Sequence, residues 1–292
     1  MRLLVTGATG FLGSRFADVL EERGHEVVRL ARPGGAKRAA ADESRLLRVD
    51  AGEPAARRLL DGCDAVLHFA GIPDPARARA DPARAVRGNV GTTLNLLEGC
   101  REHGAGLVYP STLRAALDPP PDPYAISKRL GEELCRLHEA RTLVVRLTSV
   151  YGPGQVAWEG ATGAIASFAA RALEAAPITI VGDPARTRDF VYVDAAVAAV
   201  ERLLETGRWG ETVLVASGRA TPLREAAELV RASAGRGGEI EVVAGELPAG
   251  ENDSYRTSPD AQLPSDVPLE EGIRRYVDWL KQHPAAQGRA GA

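Results

Sequence analysis

The stretch of sequence that decides the fold is Thr6-Gly7-Ala8-Thr9-Gly10-Phe11-Leu12-Gly13. It joins an apolar run at residues 3–5 to a helical pattern at residues 16–20, which predicts a strand, a glycine turn and a helix. Because glycine has no Cβ, the backbone can turn tightly here and a ligand can approach it closely. The helix behind the turn offers unpaired N–H groups and a positive dipole end to a phosphate. The first gap between glycines is one residue wider than in the G-x-G-x-x-G fingerprint, so an ordinary strand-to-helix turn is the alternative.

Composition narrows the class of protein. The chain has 292 residues, 45% of them hydrophobic, which suits one large α/β domain with a smaller lobe. A net charge of −3 gives no reason to expect nucleic acid or an anionic membrane as a partner. No apolar run reaches the ~18 residues of a membrane span, and no secretion signal precedes the first strand. Cys63, Cys100 and Cys135 lack metal-ligand spacing, so we expect reduced thiols, no metal and a cytoplasmic protein.

Strand and helix patterns alternate along the chain. In the first half we predict strands at 2–6, 26–30, 46–49, 64–69, 106–110 and 143–147, and helices at 11–23, 54–61, 83–103 and 124–139. In the second half we predict strands near 178–181, 190–193, 212–216 and 239–243, and helices near 160–175, 194–205, 222–234 and 269–282. Short apolar strands separated by helices indicate an α/β protein with a doubly wound parallel sheet. We expect a dinucleotide-binding core over 1–150, rejoined by 184–217, and a smaller substrate-binding lobe in most of 151–292.

A tyrosine and a lysine four residues apart, Tyr124 and Lys128, open a helical pattern. This spacing places them on one helix face, one turn apart. A phenol titrates near pH ~10, and a neighbouring ammonium would lower its pKa toward a range suited to proton transfer. The alternative is a partly buried tyrosine beside a surface lysine. Upstream, the predicted strand 106–110 runs into Ser111 and Thr112, whose hydroxyls could bind a substrate oxygen or cap a helix.

Together these residues resemble the short-chain dehydrogenase/reductase superfamily in its extended branch, the NAD-dependent epimerase/dehydratase family. The resemblance covers nearly the whole chain. The similar segments are the glycine turn 6–13, the strand 64–71, the helix start 89–92, Thr112 with Tyr124 and Lys128, Arg146, the stretches 150–155 and 188–194, and 269–272 with Trp279.

The resemblance implies a Rossmann-like fold and hydride transfer between an NAD(P) cofactor and a carbon that bears oxygen. Tyr124 would exchange the proton on that oxygen, Lys128 would lower the pKa of Tyr124 and bind the nicotinamide ribose, and Thr112 or Ser111 would position the oxygen. The other residues implied at the cofactor are Gly7, Thr9, Gly10, Phe11, Leu12, Gly13, Ala31, Arg32, Asp50, Phe69, Ala70, Gly71 and Asn89.

On the substrate side, the resemblance implies Ser149 and Arg188. A guanidinium suits a diphosphate because it can form two parallel hydrogen bonds; a surface salt bridge is the alternative for Arg188. Family members often form homodimers through the helices that carry Tyr124 and that begin near Asn89. Apolar positions in the first of these helices allow the same arrangement here and are equally compatible with core packing.

The end of the second predicted strand departs from the pattern of NAD enzymes, which usually carry an acidic residue on the adenosine ribose. Here Ala31 stands at that position and Arg32 follows. Without a carboxylate to repel it, a 2′-phosphate could pair with Arg32, helped by Lys37 and Arg38. We therefore expect NADP(H) to be favoured; in the alternative, Arg32 is solvated and NAD(H) also binds. Asp50 is expected near the adenine, with a helix N-cap as its alternative.

A second departure from the family's pattern limits which reactions are expected. Leu113 and Arg114 stand where the family's dehydratases have an Asp–Glu pair, so dehydration is not expected. Ser149 replaces an asparagine common in sugar-nucleotide enzymes, which leaves the sugar open. The leading hypothesis is a ketoreductase for a nucleotide-linked deoxysugar or another secondary-metabolite carbonyl. The alternatives are a sugar-nucleotide 4-epimerase and, in another class, a non-catalytic regulatory protein that binds the cofactor.

Overall fold

The computed structural model describes residues 1–34, 43–158, 163–235, 238–250, 254–255, 257–260 and 267–286. The strands are β1 (Arg2–Thr6), β2 (Glu26–Ala31), β3 (Leu46–Arg48), β4 (Ala65–His68), β5 (Gly106–Thr112), β6 (Thr142–Leu147), β7 (Ser149–Tyr151), β8 (Ile178–Val181), β9 (Thr187–Arg188), β10 (Phe190–Tyr192), β11 (Thr212–Val215), β12 (Thr221–Pro222) and β13 (Ile240–Val243). The α-helices are α1 (Phe11–Glu22), α2 (Pro75–Ala80), α3 (Pro82–His103), α4 (Pro123–Leu137), α5 (Ala164–Leu173), α6 (Val193–Glu205), α7 (Leu223–Ala234) and α8 (Leu269–Gln282).

A seven-stranded sheet in the order β11-β6-β5-β4-β1-β2-β3 organises the first half of the chain. The neighbours from β6 to β3 all pair in parallel. The chain moves outward from β1 to β3 and then resumes on the other side of β1 with β4. This reversal is the switch point of a doubly wound sheet, where ligands bind outside the carboxyl ends of the strands. The expected Rossmann-like fold is confirmed.

The chain forms two compact units. The first comprises Met1–Leu147 and Ala199–Leu214, and the second comprises Thr148–Ala198 and Val215–Ala292, so the divisions fall between β6 and β7, within α6 and within β11. The first unit carries the large sheet. The second carries three two-stranded sheets, in which β10 pairs with β7, β12 with β9, and β13 with β8.

Burial explains why these segments fold as they do. In β1 the four residues from Leu3 to Thr6 are all buried, as expected for a parallel strand covered on both faces. The core of the first unit includes Leu4, Leu30, Val66, Leu107 and Tyr109. The second unit has its own core, to which Tyr151, Phe168, Ile180, Ile273 and Tyr276 belong. Each unit therefore buries enough apolar surface to form its own apolar core.

Several local predictions differ from the structure. The helical pattern at 54–61 corresponds to a 3₁₀-helix over Pro54–Leu60. The short helix α2, a 3₁₀-helix at Leu113–Ala116 and the strands β7, β9 and β12 were not anticipated, because two- to six-residue elements are too short for a periodic pattern. Among the described residues, no helix has both the length and the apolar character needed to cross a membrane.

Candidate active site

The glycine turn is shaped by contacts that only glycine permits. Gly7 has φ +67°, and a Cβ there would lie 2.7 Å from the backbone of Phe69 and Ala70. A Cβ on Gly13 would lie 2.2 Å from the carbonyl oxygen of Gly7. Gly10 closes the turn by donating its N–H to that same oxygen at 2.8 Å. The turn therefore allows the backbones at the end of β1, after β4 and at the start of α1 to approach one another closely at the carboxyl end of the sheet.

The N-terminus of α1 is suited to an anion. Gly10 is its N-cap, and within the described part of the chain no side chain caps this end and no acidic residue lies in its first turn. The first N–H groups of a helix have no partner inside it, and the helix dipole adds positive charge there. Phe11, Leu12 and Gly13 open the helix, with Thr9 just before the cap. This cradle fits the diphosphate of a dinucleotide.

Residues 69–72, which follow β4, are held by hydrogen bonds to side chains of β1 and α3. Thr6 Oγ1 accepts the N–H of Ala70 at 3.0 Å. Asn89 Oδ1 accepts the N–H of Ile72 at 2.7 Å, and its Nδ2 donates to Ser127 Oγ at 2.8 Å. Asn89 therefore joins α3 to the loop that contains Phe69, Ala70 and Gly71, and also to α4.

A buried histidine that the sequence did not single out extends this network. His68 Nδ1 lies 3.0 Å from Thr6 Oγ1, and its Nε2 lies 3.1 Å from Thr93 Oγ1. Because Thr93 donates its own proton to the backbone oxygen of Asn89 at 2.8 Å, Nε2 is the donor and Nδ1 the acceptor. Burial and, to a smaller extent, the charge of Lys128 lower the pKa of His68 to about 3, so the ring stays neutral.

The end of β2 carries the residues expected at the adenosine. Ala31 is buried, and Arg32 is exposed while its carbonyl oxygen accepts from Arg48 Nη1 at 3.2 Å. Lys37 and Arg38 lie outside the described residues. Asp50 accepts the N–H of Gly52 at 2.9 Å.

The helix-cap alternative for Asp50 is wrong. The N-cap of the 3₁₀-helix that follows is Glu53, three residues later. Asp50 instead closes a short turn through its carboxylate, which its type favours because the side chain can bond its own backbone two residues on.

The predicted Tyr–Lys pair lies on α4, whose start is fixed by a cap. Asp122 is the N-cap and accepts the N–H of Ala125 at 2.9 Å. Lys128 Nζ donates to the carbonyl oxygen of Pro110 in β5 at 2.7 Å and lies 4.7 Å from the centroid of the Tyr109 ring. The lysine therefore fastens the helix of Tyr124 to the strand that ends in Thr112.

The electrostatics around Tyr124 differ from the expectation. Burial raises the pKa of its phenol to about 12; Arg114 opposes this rise and Asp122 adds to it. In the structure Lys128 is bound to the Pro110 carbonyl and the cation that lowers this pKa is Arg114, so the role of Lys128 toward the phenol stays a prediction. Burial also lowers the pKa of Lys128 to about 8, partly offset by Cys135 and Glu132.

The two candidate hydroxyls have different partners. Ser111 donates its hydroxyl to Glu132 Oε1 at 2.5 Å. Arg146 binds the same carboxylate with two hydrogen bonds, of 2.9 and 2.6 Å. Thr112 Oγ1 accepts the backbone N–H of Arg114 at 3.3 Å, which caps the 3₁₀-helix that follows and leaves its own proton to donate. Of the two, Thr112 is better suited to bind a substrate oxygen.

Glu132 is a buried residue that the sequence analysis missed. It lies eight residues after Tyr124 and four after Lys128, so all three share one face of α4. The continuing four-residue spacing was a usable signal. What could not be read from it was the pairing with Ser111 and Arg146, which come from two other strands.

Ser149 and Arg188 lie in the second unit. The Ser149 N–H donates to the backbone oxygen of Asp189 at 3.0 Å. Arg188 donates from Nη1 to the Thr187 oxygen at 2.9 Å, and its guanidinium lies 4.8 Å from the ring centroid of Tyr255. Stacking on an aromatic ring orients a guanidinium while leaving its edge able to bind an anion.

Asp189, next to Arg188, is a second residue that the sequence analysis missed. Its buried carboxylate accepts the N–H groups of Ser217 and Gly218 at 2.9 and 2.8 Å. It also accepts hydroxyl protons from Thr148 at 3.1 Å and Thr257 at 2.5 Å. These four partners come from distant parts of the second unit, so Asp189 holds the Arg188 strand in place.

Known proteins of one family are similar to this chain in sequence and in fold. Residues 3–216 match the NAD dependent epimerase/dehydratase family. The chain is 32% identical to a dTDP-4-dehydro-6-deoxy-D-allose reductase of Streptomyces bikiniensis, over 96% of both chains. A UDP-glucose 4-epimerase of Thermus thermophilus, solved in complex with NAD, is 28% identical, with a TM-score of 0.80 over 96% of this chain and 99% of that one. A dTDP-glucose 4,6-dehydratase of Streptomyces venezuelae, solved with NAD bound, is 26% identical, with a TM-score of 0.82 over 98% of both chains.

Proposed function

Because the chain belongs to the NAD dependent epimerase/dehydratase family and is an enzyme of that group, we propose that it reduces a carbonyl on a nucleotide-linked deoxysugar. The observation that carries this proposal is the bond from Lys128 Nζ to the Pro110 carbonyl, which fastens the helix of Tyr124 beside the strand end of Thr112. The similarity to a deoxysugar reductase over 96% of both chains supports the substrate class.

The roles of the residues follow from their chemistry. The nicotinamide cofactor, when bound, supplies the hydride. Thr112 donates a hydrogen bond to the substrate oxygen and orients it. The phenol of Tyr124 gives its proton to that oxygen as negative charge develops there. Lys128 is positively charged below its pKa of about 8 and offers a donor to a ribose hydroxyl. The glycine turn and the first N–H groups of α1 would hold the cofactor diphosphate.

For the cofactor itself, we infer a preference for NADP(H). Ala31 offers no carboxylate to repel a 2′-phosphate, and the exposed Arg32 beside it can pair with one. NAD is the alternative, since the Thermus and Streptomyces venezuelae relatives were solved with NAD. In the second unit, Arg188 stacked on Tyr255 would bind the substrate diphosphate, and Ser149 would contact the substrate.

A sugar-nucleotide 4-epimerase is the second candidate, favoured by the likeness to the Thermus UDP-glucose 4-epimerase. An epimerase returns its hydride to the substrate and consumes no net cofactor. A regulatory protein that binds the cofactor without turnover is the third, because a fold alone does not fix function.

We also propose a cytoplasmic location and a homodimer. The buried free thiols of Cys63, Cys100 and Cys135 suit a reducing compartment. The apolar residues exposed on α3 and α4 suit a self-association face. They are Leu94, Ile126, Leu130 and Leu137.

The deciding experiment begins with mass spectrometry of any cofactor retained on purification, followed by paired titrations with NADPH and NADH. Each form is then assayed with keto-sugar nucleotides and with UDP-glucose. Net oxidation of NADPH supports the reductase. Tightly retained NAD⁺ together with interconversion of epimers would instead identify an epimerase. Cofactor binding without turnover of any keto-sugar nucleotide or of UDP-glucose would favour the regulatory protein.

A further inference from the structure

Five buried polar side chains connect the segment behind the glycine turn to the helix of Tyr124. They come from β1, β4, α3 and α4, and each is at most 4% exposed. A polar group buried without a partner costs free energy, so a group of this size is stable only when its members bind one another. The five are Thr6, His68, Thr93, Asn89 and Ser127.

The direction of each hydrogen bond is fixed from the α4 end. Ser127 Oγ donates to the carbonyl oxygen of Tyr124 at 2.8 Å, so it accepts from Asn89 Nδ2 at 2.8 Å. Thr93 Oγ1 donates to the carbonyl oxygen of Asn89, so it accepts from His68 Nε2 at 3.1 Å. Nε2 is therefore the nitrogen that carries the proton of this imidazole.

The other nitrogen of His68 faces the glycine turn. Its Nδ1 accepts from Thr6 Oγ1 at 3.0 Å, and Thr6 Oγ1 in turn accepts the N–H of Ala70 at 3.0 Å. Ala70 lies directly against the turn, since a Cβ on Gly7 would lie 2.7 Å from its nitrogen. One imidazole therefore bonds toward the glycine turn on one side and toward the first turn of α4 on the other.

We propose that His68 is a positioning residue with two separate tasks: through Nδ1 it holds residues 69–72 behind the glycine turn, and through Nε2 it holds the start of the helix that carries Tyr124. The role rests on the proposed function, in which the glycine turn holds the cofactor diphosphate and Tyr124 exchanges the proton. A neutral imidazole suits both tasks because it offers one acceptor and one donor that point in different directions.

Two amide substitutions each keep one half of the imidazole. The side-chain oxygen of His68→Asn can replace Nδ1 as the acceptor for Thr6, but this side chain is too short to reach Thr93. The amide nitrogen of His68→Gln can replace Nε2 as the donor to Thr93, but Thr6 then loses its acceptor. We expect His68→Gln to weaken cofactor affinity about tenfold with kcat near that of the parent, and His68→Asn to lower kcat about tenfold with cofactor affinity near that of the parent.

Hydrogen exchange gives a readout that does not depend on turnover. The amide of Ala70 should exchange faster in His68→Gln, whereas the amides at the start of α4 should exchange faster in His68→Asn. A merely structural role would instead raise exchange at both places in both variants. His25→Asn is the control, because His25 is a second largely buried histidine that binds Glu201 at 2.8 Å outside this set of hydrogen bonds. It should change neither cofactor affinity nor kcat.

The tautomer of His68 is checked first, by nitrogen NMR of the parent protein with labelled histidine. We expect the proton on Nε2 throughout the neutral pH range, and a proton on Nδ1 would overturn the proposal. Equal losses of cofactor affinity and kcat in His68→Asn and His68→Gln would also overturn it.

A second pair of variants keeps the test decisive if the His68 variants do not fold. Thr6→Val and Thr93→Val remove the same two partners from the other side, so the first should weaken cofactor affinity and the second should lower kcat. Equal effects of these two would count against the proposal in the same way. If exchange changes locally as expected but no protein, the parent included, turns over a carbonyl or sugar nucleotide, the proposed function fails while the positioning by His68 stands.

Discussion

Lys128 Nζ donates a 2.7 Å hydrogen bond to the carbonyl oxygen of Pro110, and this bond joins α4 to β5 directly behind the candidate hydroxyls. The same ammonium lies 4.7 Å from the ring centroid of Tyr109, so both a carbonyl dipole and an aromatic face stabilise it. The lysine thus contributes to the architecture of the site as well as to its charge.

The titration of Lys128 should be visible in stability. Burial lowers its pKa from 10.5 to about 8. Between these values the unfolded chain binds a proton that the folded protein has released, so the free energy of unfolding should rise with pH across that interval. Urea unfolding of the parent protein and of Lys128→Met at pH values below and within this interval measures the difference. If the free energy of unfolding changes with pH in the same way in both proteins, the prediction is wrong.

Replacement of Tyr124 by phenylalanine should separate chemistry from binding. Tyr124→Phe removes the proton donor but keeps the ring, so turnover should fall by about 10²–10⁴-fold while the affinity for the cofactor is unchanged. Steady-state kinetics and a cofactor titration on the same preparation measure both quantities. Retained activity would show that another acid transfers the proton.

The two neighbouring hydroxyls should behave differently. Thr112→Val removes the donor proposed for the substrate oxygen, and kcat should fall by about 10²–10³-fold. Ser111→Ala instead leaves the buried Glu132 without one donor, which should lower the free energy of unfolding by about 1–3 kcal/mol with little effect on kcat. If Ser111→Ala loses activity and Thr112→Val does not, the roles are reversed.

The glycine turn offers a matched pair of substitutions. Gly13→Ala places a Cβ 2.2 Å from the Gly7 oxygen, which should lower the free energy of unfolding by about 1–3 kcal/mol and weaken cofactor binding. Gly91 lies in α3, where an added Cβ would meet no described atom within 4 Å apart from the backbone of its own helix. Gly91→Ala should therefore raise the free energy of unfolding by about 1 kcal/mol. Chemical denaturation measures both; equal effects would refute the steric argument.

The proposed homodimer depends on the exposed face of α4. Leu130 is 43% exposed there, and Leu47 of β3 is 44% exposed elsewhere in the same unit. A carboxylate in a buried apolar interface is strongly disfavoured, so Leu130→Glu should shift the protein toward monomer while Leu47→Glu should not. Sedimentation velocity at several concentrations distinguishes these outcomes. If the parent protein is a monomer at every concentration tested, the proposed homodimer is wrong.

Some of the site was readable because its signal is local. The spacing of Tyr124 and Lys128 fixes their common helix face in any α-helix, and the glycines before α1 fix a turn that other residues cannot make. Glu132 extended the same spacing, yet its partners could not be foreseen. Ser111 and Arg146 reach it from β5 and β6, and only the register of those strands brings them there.

The sequence by itself determined the order of the longer strands and helices, the glycine turn and the Tyr–Lys face, because each is encoded by residues a few positions apart. Only the tertiary structure decided that Arg114 lowers the pKa of Tyr124 and that Ser111 donates its hydroxyl to a carboxylate. It also decided the hydrogen-bond partners of Asp189, which lie up to 68 residues away along the chain. The physical reason is that hydrogen bonds and charges act over a few ångströms in space, and the packing of elements sets those distances.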